Sequence, residues 1–493
     1  MADVAERMPS AAAAAKSETP DRKKVATRAL FVLRRAVDGT PFEEDDTTTA
    51  IETLLEHFDY APGDDEDESA VEVDEGELDE ALARARLGEL FDCAIHLGRA
   101  LPGKYRGIAD ALERELERGP VKLTIERTDL LKALDPAVKV IQRRNTIPIL
   151  NNIRIAAESG EIAVTATDLD IEIRSSAAAE IDVAGAVTVP ADLLHDLVRR
   201  MPDGSQIGFA LEEDTRLSMR CGRSHSRLPT LPAGDYPDIA PGEMTHRFDL
   251  PGEVLSSLLR DTAFAASTET TTYICGVHWH QAQGEEGPEL AAVATDGTRM
   301  LARRVVPLPT GANGFRAVTI PTKAVNEIAR LVDKEKSEVA IALSETKIRV
   351  IIGQTLLTSS LIVGGFPDYE RAVPKETPNE ITVEAAPLLA AIERVAIIAD
   401  REHVRATVFS FDDRRVTLTM ANSASGDLRE EVACDFEGEP FSIGYDHRLL
   451  TKLLAVVGGD TVLMRIGGEN NPNTIFSSHA GSDMYALLAR IKG

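Results

Sequence analysis

Two acidic turns and one histidine pair are the places where this sequence could do chemistry. Asp296 lies in VATDGTRML (Val293–Leu301), while Asp168 and Asp170 lie in a near-copy, TATDLDIEI (Thr165–Ile173). Carboxylates of this kind suit metal binding or acid–base work, so a metal-dependent hydrolase using Asp168, Asp170 and Asp296 is one candidate function. Placed as alternate residues of a strand, Asp168 and Asp170 would share a face able to hold magnesium, although no further acid is placed to complete it. His278 and His280 flank the single tryptophan in GVHWHQ. They could offer two zinc ligands, but a third is missing and the cysteines are distant, so a pair on a strand surface is expected.

Duplication argues against catalysis. A reaction carboxylate is rarely supplied twice in tandem, each copy without a nearby base. An aspartate that accepts backbone N–H groups in a strand-end turn and leads into a glycine, as Asp296 leads into Gly297, is the common structural use. The chain has no GxxxxGK[ST], no GxGxxG after a strand and no GxSxG elbow. GGENNPN (Gly467–Asn473) has the composition of a flexible loop between strands.

The elements that would position these turns repeat. VKLTIERTDLLKAL from Val121, HRFDLPGEVLSSLL from His246 and EITVEAAPLLAAIE from Glu380 each read as an alternating strand, a Pro or polar cap and an amphipathic helix. A second plan also occurs three times, in AVTVPADLLHDLV from Ala186, AVTIPTKAVNEIA from Ala317 and PFSIGYDHRLLTKLL from Pro440. Hairpins lie between the two plans and carry the ATD turns; their third counterpart, TLTMANSASGDLREEV, has Asn422 instead. The expected architecture is therefore α+β, with three units of about 125 residues, each made of two strand–helix–strands halves. The boundaries read as 121–243, 244–373 and 374–493.

Residues 1–120 differ in texture. They read as a partly disordered, partly helical extension: an alanine-rich polar tail, short helices around 26–37 and 48–58, the acidic run GDDEDESAVEVDEGELDE and a helical hairpin.

The totals set bounds. The chain has 493 residues and is 43% hydrophobic, which is globular. No window approaches the roughly 18 apolar residues of a membrane span, and the start lacks a secretory signal. Cys93, Cys221, Cys275 and Cys434 have no metal or disulfide spacing, so a cytoplasmic protein with reduced thiols and no cofactor is expected. A net charge of −27, from 81 acidic and 54 basic residues, opposes nucleic-acid binding by the average surface. Basic residues nonetheless gather on the predicted helices: Lys132, Lys139, Arg143 and Arg144 at the first, Arg199 and Arg200 at the second, and Arg260 at the third. Lys323, Arg330 and Lys334 mark the fourth, Arg394, Arg401 and Arg405 the fifth, and Arg448 and Lys452 the sixth. Six helices in equivalent positions with one bias suggest a shared basic surface.

Together these features resemble the bacterial DNA polymerase III beta subunit, the sliding clamp, from Val121 to Gly493. The residues that carry the resemblance are TIPILNNI (Thr146–Ile153), TATDLDIEI, CGRSHSRLPTLPAGDYP (Cys221–Pro237), VATDGTRML and GGFPDYERAVP (Gly364–Pro374). The resemblance implies a non-enzymatic processivity factor. Two chains would close head to tail into a ring of six pseudo-equivalent domains whose helices surround double-stranded DNA without reading its sequence. The implied partners are a second copy of the chain, the polymerase III catalytic subunit, the clamp loader, and other polymerases and repair proteins. These proteins would dock through short peptides with Leu and Phe anchors.

Carried over residue by residue, DNA contacts fall on Lys132, Arg144, Arg200, Tyr273, Lys323 and Arg330; Thr272 stands where the family pairs a second aromatic with Tyr273. The partner-peptide pocket would be built from Ile274, Thr295, Gly297, Thr298, Arg299, Met300, Pro367, Arg371, Ala372, Val404, Leu449, Leu487 and Leu488. The family's terminal Met-Pro-x-Arg signature is replaced here in MYALLARIKG, which keeps apolar leucines but loses the proline. The subunit interface would use Leu228, Ile397 and Ile398, with Ser226 at the family's aromatic position. A ring that opens more readily than most is expected. The surviving alternative to a clamp, besides the hydrolase, is an acidic interaction scaffold that does not encircle DNA.

Overall fold

The computed structural model describes residues 121–493 apart from 142–145, 213–215, 240–241, 270–271, 335–336, 400–405, 423–424, 469–470 and 492–493. The amino-terminal extension, Cys93, Arg143, Arg144, Arg401, Val404 and Arg405 therefore lie outside the described residues. Two compact units divide the chain at Asp238/Ile239.

In the first unit, β1 (Lys122–Glu126) runs straight into α1 (Arg127–Val140), and β6 (Gly185–Pro190) into α2 (Ala191–Arg199). These are the two expected strand–helix junctions. Glu126 ends the strand because its carboxylate accepts the Thr128 and Asp129 N–H groups at 2.7 and 3.2 Å, satisfying donors that the first helical turn leaves open. Five antiparallel strands follow the order β5-β1-β7-β8-β9, with β5 Glu180–Val183, β7 Gln206–Glu212, β8 Arg216–Cys221 and β9 Ser224–Pro229. A second antiparallel set joins β2 (Asn152–Glu158) to β6 on one side and to β3 (Glu161–Thr167) on the other, and β3 to β4 (Ile171–Ala178). Leu130, Leu134, Leu194 and Val198 from the helices meet Ile153, Val164, Ile207 and Leu217 from the strands in one core. Each such leucine contributes about 1.5–3 kcal/mol by leaving water.

The second unit contains the other four junctions. These are β10 (His246–Pro251) into α3 (Gly252–Ala263), and β14 (Val318–Pro321) into α4 (Thr322–Lys334). The later pair are β18 (Asn379–Glu384) into α5 (Ala385–Val395), and β22 (Phe441–Asp446) into α6 (His447–Val457). Its remaining strands are β11 (Gly276–Gln283), β12 (Pro288–Thr295), β13 (Met300–Pro307), β15 (Glu338–Leu343), β16 (Lys347–Ile352) and β17 (Thr355–Ser360). They continue through β19 (Ala406–Asp412), β20 (Arg415–Asn422), β21 (Gly426–Asp435), β23 (Thr461–Ile466), β24 (Asn473–Ser477) and β25 (Met484–Ala489).

Twelve of these strands form one sheet in the order β14-β11-β12-β13-β25-β24-β23-β18-β21-β20-β19-β22. Its fourth and fifth strands, β13 and β25, pair antiparallel, Met300 opposite Leu488 and Leu301 opposite Leu487, and so join the second repeat to the third. After β25 the chain returns to the far edge, where the Ile491 N–H donates to the Gly444 carbonyl at 2.9 Å.

Candidate functional site

The ATD turn is a structural device. Asp296 Oδ1 accepts three successive backbone N–H groups, from Thr298 at 2.9 Å, Arg299 at 2.7 Å and Met300 at 2.9 Å. Thr295 Oγ1 donates to the Met300 carbonyl at 2.7 Å and accepts the Gly297 N–H at 3.0 Å. Gly297 has φ +78°, and a Cβ there would come within 2.9 Å of Ile274 Cδ1. Backbone handedness thus favours glycine, with Ile274 packed against it.

The near-copy behaves alike. Asp168 Oδ1 accepts the Asp170 and Ile171 N–H groups at 3.0 and 2.8 Å. One expectation is corrected here: Asp168 and Asp170 are not alternate residues of a strand. They lie in the turn between β3 and β4, because Leu169 takes φ +80° and breaks the extended run. Among the described residues no group of three or more His, Cys, Asp or Glu side chains is placed to hold a metal ion.

Asp296 fixes a loop that reaches across the unit. Arg299 Nη1 donates to Asp446 Oδ2 at 3.2 Å, and Asp446 Oδ1 accepts the Arg448 N–H at 3.0 Å, capping α6. Asp446 is only 3% exposed, so this buried carboxylate is satisfied by the helix N-terminus and by arginine together. The Arg299 carbonyl in turn accepts the Ala489 N–H at 2.9 Å, tying the loop to the end of β25.

Beside it lies the segment Phe366–Val373. Phe366, Tyr369, Ala372 and Val373 pack on a cluster of Val293, Leu301, Ile475 and Leu487. The predicted pocket residues Thr295, Gly297, Thr298, Arg299, Met300, Leu487 and Leu488 therefore meet along β12, β13 and β25, and α6, which carries half-buried Leu449, is drawn in through Asp446. Ile274 packs at Gly297, while Pro367 and Ala372 are half-buried and Arg371 is exposed and paired with Asp368 at 2.8 Å. Leu487 and Leu488 do not share a wall, since neighbouring strand residues project to opposite faces. Leu487 joins the cluster under Ala372, and Leu488 pairs with Met300 on the other side.

His278 and His280 are also placed differently from expectation: they are half-buried beneath that segment rather than on an open strand face. The His278 ring stacks on Phe366 with centroids 4.3 Å apart and planes 4° off parallel, and its Nδ1 lies 2.9 Å from Thr319 Oγ1. His280 Nε2 lies 2.9 Å from the Tyr369 hydroxyl. Burial, and then the neighbouring His280, push the His278 pKa down to about 4.

On the helices several of the predicted cations have acidic neighbours. Lys132 pairs with Asp129 at 3.1 Å, Arg330 Nε donates to Glu327 at 2.8 Å, and Arg260 pairs with Asp333. Arg394 grips Glu430 with two bonds, at 3.0 and 2.9 Å. Arg200 stands exposed at the end of α2, Lys323 lies in the first turn of α4, and Tyr273 is 52% exposed. Of the residues expected at a subunit contact, Ile397 is 78% exposed and Ile398 half-buried, whereas Leu228 is already packed in the core of its own unit. Sequence inspection missed Asp446, and also Arg490, which donates to the Gly468, Asn471 and Pro472 carbonyls. Asp446 had a findable signal, an aspartate just before a helical run. Arg490 had none, because it serves a loop 18–22 residues upstream.

Tandem α+β modules, each a pair of strand–helix halves whose helices share one layer of the plan, define the class of clamp-fold proteins. Profiles of the DNA polymerase III beta subunit match in chain order: the N-terminal domain over residues 121–240, the central domain over 249–368 and the C-terminal domain over 370–488. The beta sliding clamp of Caulobacter vibrioides (strain NA1000 / CB15N) is 39% identical over 370 residues, 75% of this chain and 99% of the relative. That of Escherichia coli (strain K12) is 30% identical over 370 residues, with the same coverage. The crystal structure of the C. crescentus beta sliding clamp with PEG bound superposes with a TM-score of 0.73 at 37% identity, covering 76% of this chain and all of that one. A Bartonella birtlesii sliding clamp bound to griselimycin gives 0.73 at 34% identity, with the same coverage. The chain belongs to the DNA polymerase III beta subunit family, the bacterial beta sliding clamps, and its function is that of a non-catalytic DNA sliding clamp in replication.

Proposed function

We propose that two copies close head to tail into a ring around duplex DNA, in the cytoplasm, and tether the polymerase III catalytic subunit for processive synthesis. Each copy supplies clamp domains over 121–243, 244–373 and 374–493. Lys132, Arg144, Arg200, Tyr273, Lys323 and Arg330 contact the phosphate backbone. Pairing of exposed Lys132 with Asp129 supports a loose contact, because exposed ion pairs are worth little and a passing phosphate competes with them readily.

The observation that carries the ring is a pair of open sheet edges of opposite charge. β9 bonds only to β8 among the described strands and bears His225 and Arg227. β21 bonds to β20 along its length but to β18 only at Cys434 and Asp435, leaving an open edge whose Asp427, Glu430 and Glu431 outnumber its one cation, Arg429. Unpaired edges of this kind are templates for another chain, and here each can take the other's partner. Ile397 adds apolar surface beside α5.

The groove between the Thr295–Met300 loop, the Phe366–Val373 segment and α6 docks the clamp loader, polymerases and repair proteins through peptides with Leu and Phe anchors. The topological test is to load the protein onto nicked circular DNA and then linearise it. A ring slides off the ends and is lost. Retention after linearisation, or no loading at all, would leave the acidic-scaffold alternative. The hydrolase alternative has little support, because Asp168 and Asp296 each spend a carboxylate oxygen on backbone N–H groups. Metal-dependent turnover abolished by Asp296→Ala in a folded protein would revive it.

A further inference from the structure

We propose that His280 and Tyr369 are positioning residues for peptide docking: their hydrogen bond straps the Phe366–Val373 segment to the sheet and so sets one wall of the groove.

The segment is held at three points. At its start, Phe366 lies flat on the His278 ring. At its end, the Ala372 carbonyl accepts from Asn473 Nδ2 at 2.7 Å and from Asn471 Nδ2 at 3.3 Å. The middle hangs on Tyr369 alone. Its hydroxyl is 2.9 Å from His280 Nε2, and His280 Nδ1 is 2.9 Å from the Gln281 carbonyl. A carbonyl can only accept, so Nδ1 carries the proton of the neutral ring and Nε2 must accept. The phenol therefore donates to His280. Direction is thus fixed along Tyr369–His280–Gln281, and only a group that accepts at the His280 position preserves it. Pro367 and Arg371, which contribute to the groove, lie two residues on either side of Tyr369 on the same strap. Loss of this bond leaves the two outer anchors and the apolar packing of Tyr369 intact and removes the polar tie between the middle of the segment and the sheet.

The inference rests on the docking function proposed above, and the experiment separates the two. Binding of a labelled short peptide with one leucine and one phenylalanine anchor is measured by fluorescence anisotropy on the full chain, with thermal melting and dimer mass as controls. Tyr369→Phe and His280→Ala are each expected to weaken binding by about 5–10-fold, the double variant no further than the weaker single, since both remove one bond. His280→Gln, whose side-chain oxygen can accept from Tyr369, is expected to recover most of the affinity. Wild-type affinity in Tyr369→Phe and His280→Ala, additive losses, or no recovery in His280→Gln would overturn the strap while leaving peptide docking in place. Absence of binding to the unaltered chain would overturn the docking proposal, and the strap with it.

Discussion

At the scale of single residues, the most telling side chain is Asp296, whose one oxygen organises three N–H groups. Asp296→Ala should lower stability by about 1–3 kcal/mol, read from the denaturation midpoint, with Asp296→Asn intermediate because its neutral oxygen accepts more weakly. His278 provides a pH signature. It is held neutral in the folded chain down to about pH 4, whereas the unfolded ring takes up a proton near 6.5. Between these values the unfolded state binds more protons, so this residue's contribution to stability is intact above pH 6.5 and is lost as pH falls toward 4. The groups facing it are His280, Thr319 and Phe366, and only His280 among them titrates. His278→Phe should flatten the melting-temperature slope in that window by a few degrees. Part of this was legible in the sequence. The structural role of Asp296 followed from its duplication, while the burial of the histidines was not visible because Phe366 and Tyr369, which cover them, come more than 80 residues later.

At the scale of elements, all six strand–helix junctions could be read in advance. Alternation ended at a proline or acid and a helical apolar stripe followed at once, as Glu126 and Asp446 illustrate. What escaped was the long-range tie. Arg299 and Asp446 are 147 residues apart, and no local pattern couples them. Asp446→Ala removes the cap of α6 and strands a half-exposed arginine beside a buried site, so a loss of about 1–3 kcal/mol is expected from chemical denaturation. Peptide affinity should fall too, because the Thr295–Met300 loop loses its anchor on α6. Asp168 and Asp170 show the opposite failure: a strand-like sequence was broken by one residue in left-handed geometry, which alternation alone does not reveal.

At the scale of the whole molecule, charge becomes intelligible by region. Residues 1–120 contain 29 acidic and 15 basic side chains, so about half of the net −27 lies outside the clamp modules. The six helices carry 11 basic against 9 acidic side chains, close to balance in an acidic protein. In the ring proposed above, helices of this charge are suited to tolerate phosphates rather than hold them. Affinity for short linear duplexes should therefore be weak and fall with salt, whereas retention on closed circles should survive the same salt; a filter or gel-exclusion assay distinguishes them. Ring closure should depend on Ile397, and Ile397→Asp should give monomers in sedimentation velocity. With Ser226 half-buried and Leu228 committed to its own core, the unaltered dimer should itself dissociate at low nanomolar concentration; a mass independent of dilution there would contradict this.

The clip between Ile491 and Gly444 has a practical corollary for anyone handling this protein. A purification tag or fluorophore fused directly after Gly493 would leave from the same rim where β25 and α6 meet. It would thus crowd incoming partners and tug at a fastening that Ile491 provides. Labels intended to report on partner exchange belong elsewhere, for example at Glu161, exposed at the start of β3 and well removed in sequence from that rim.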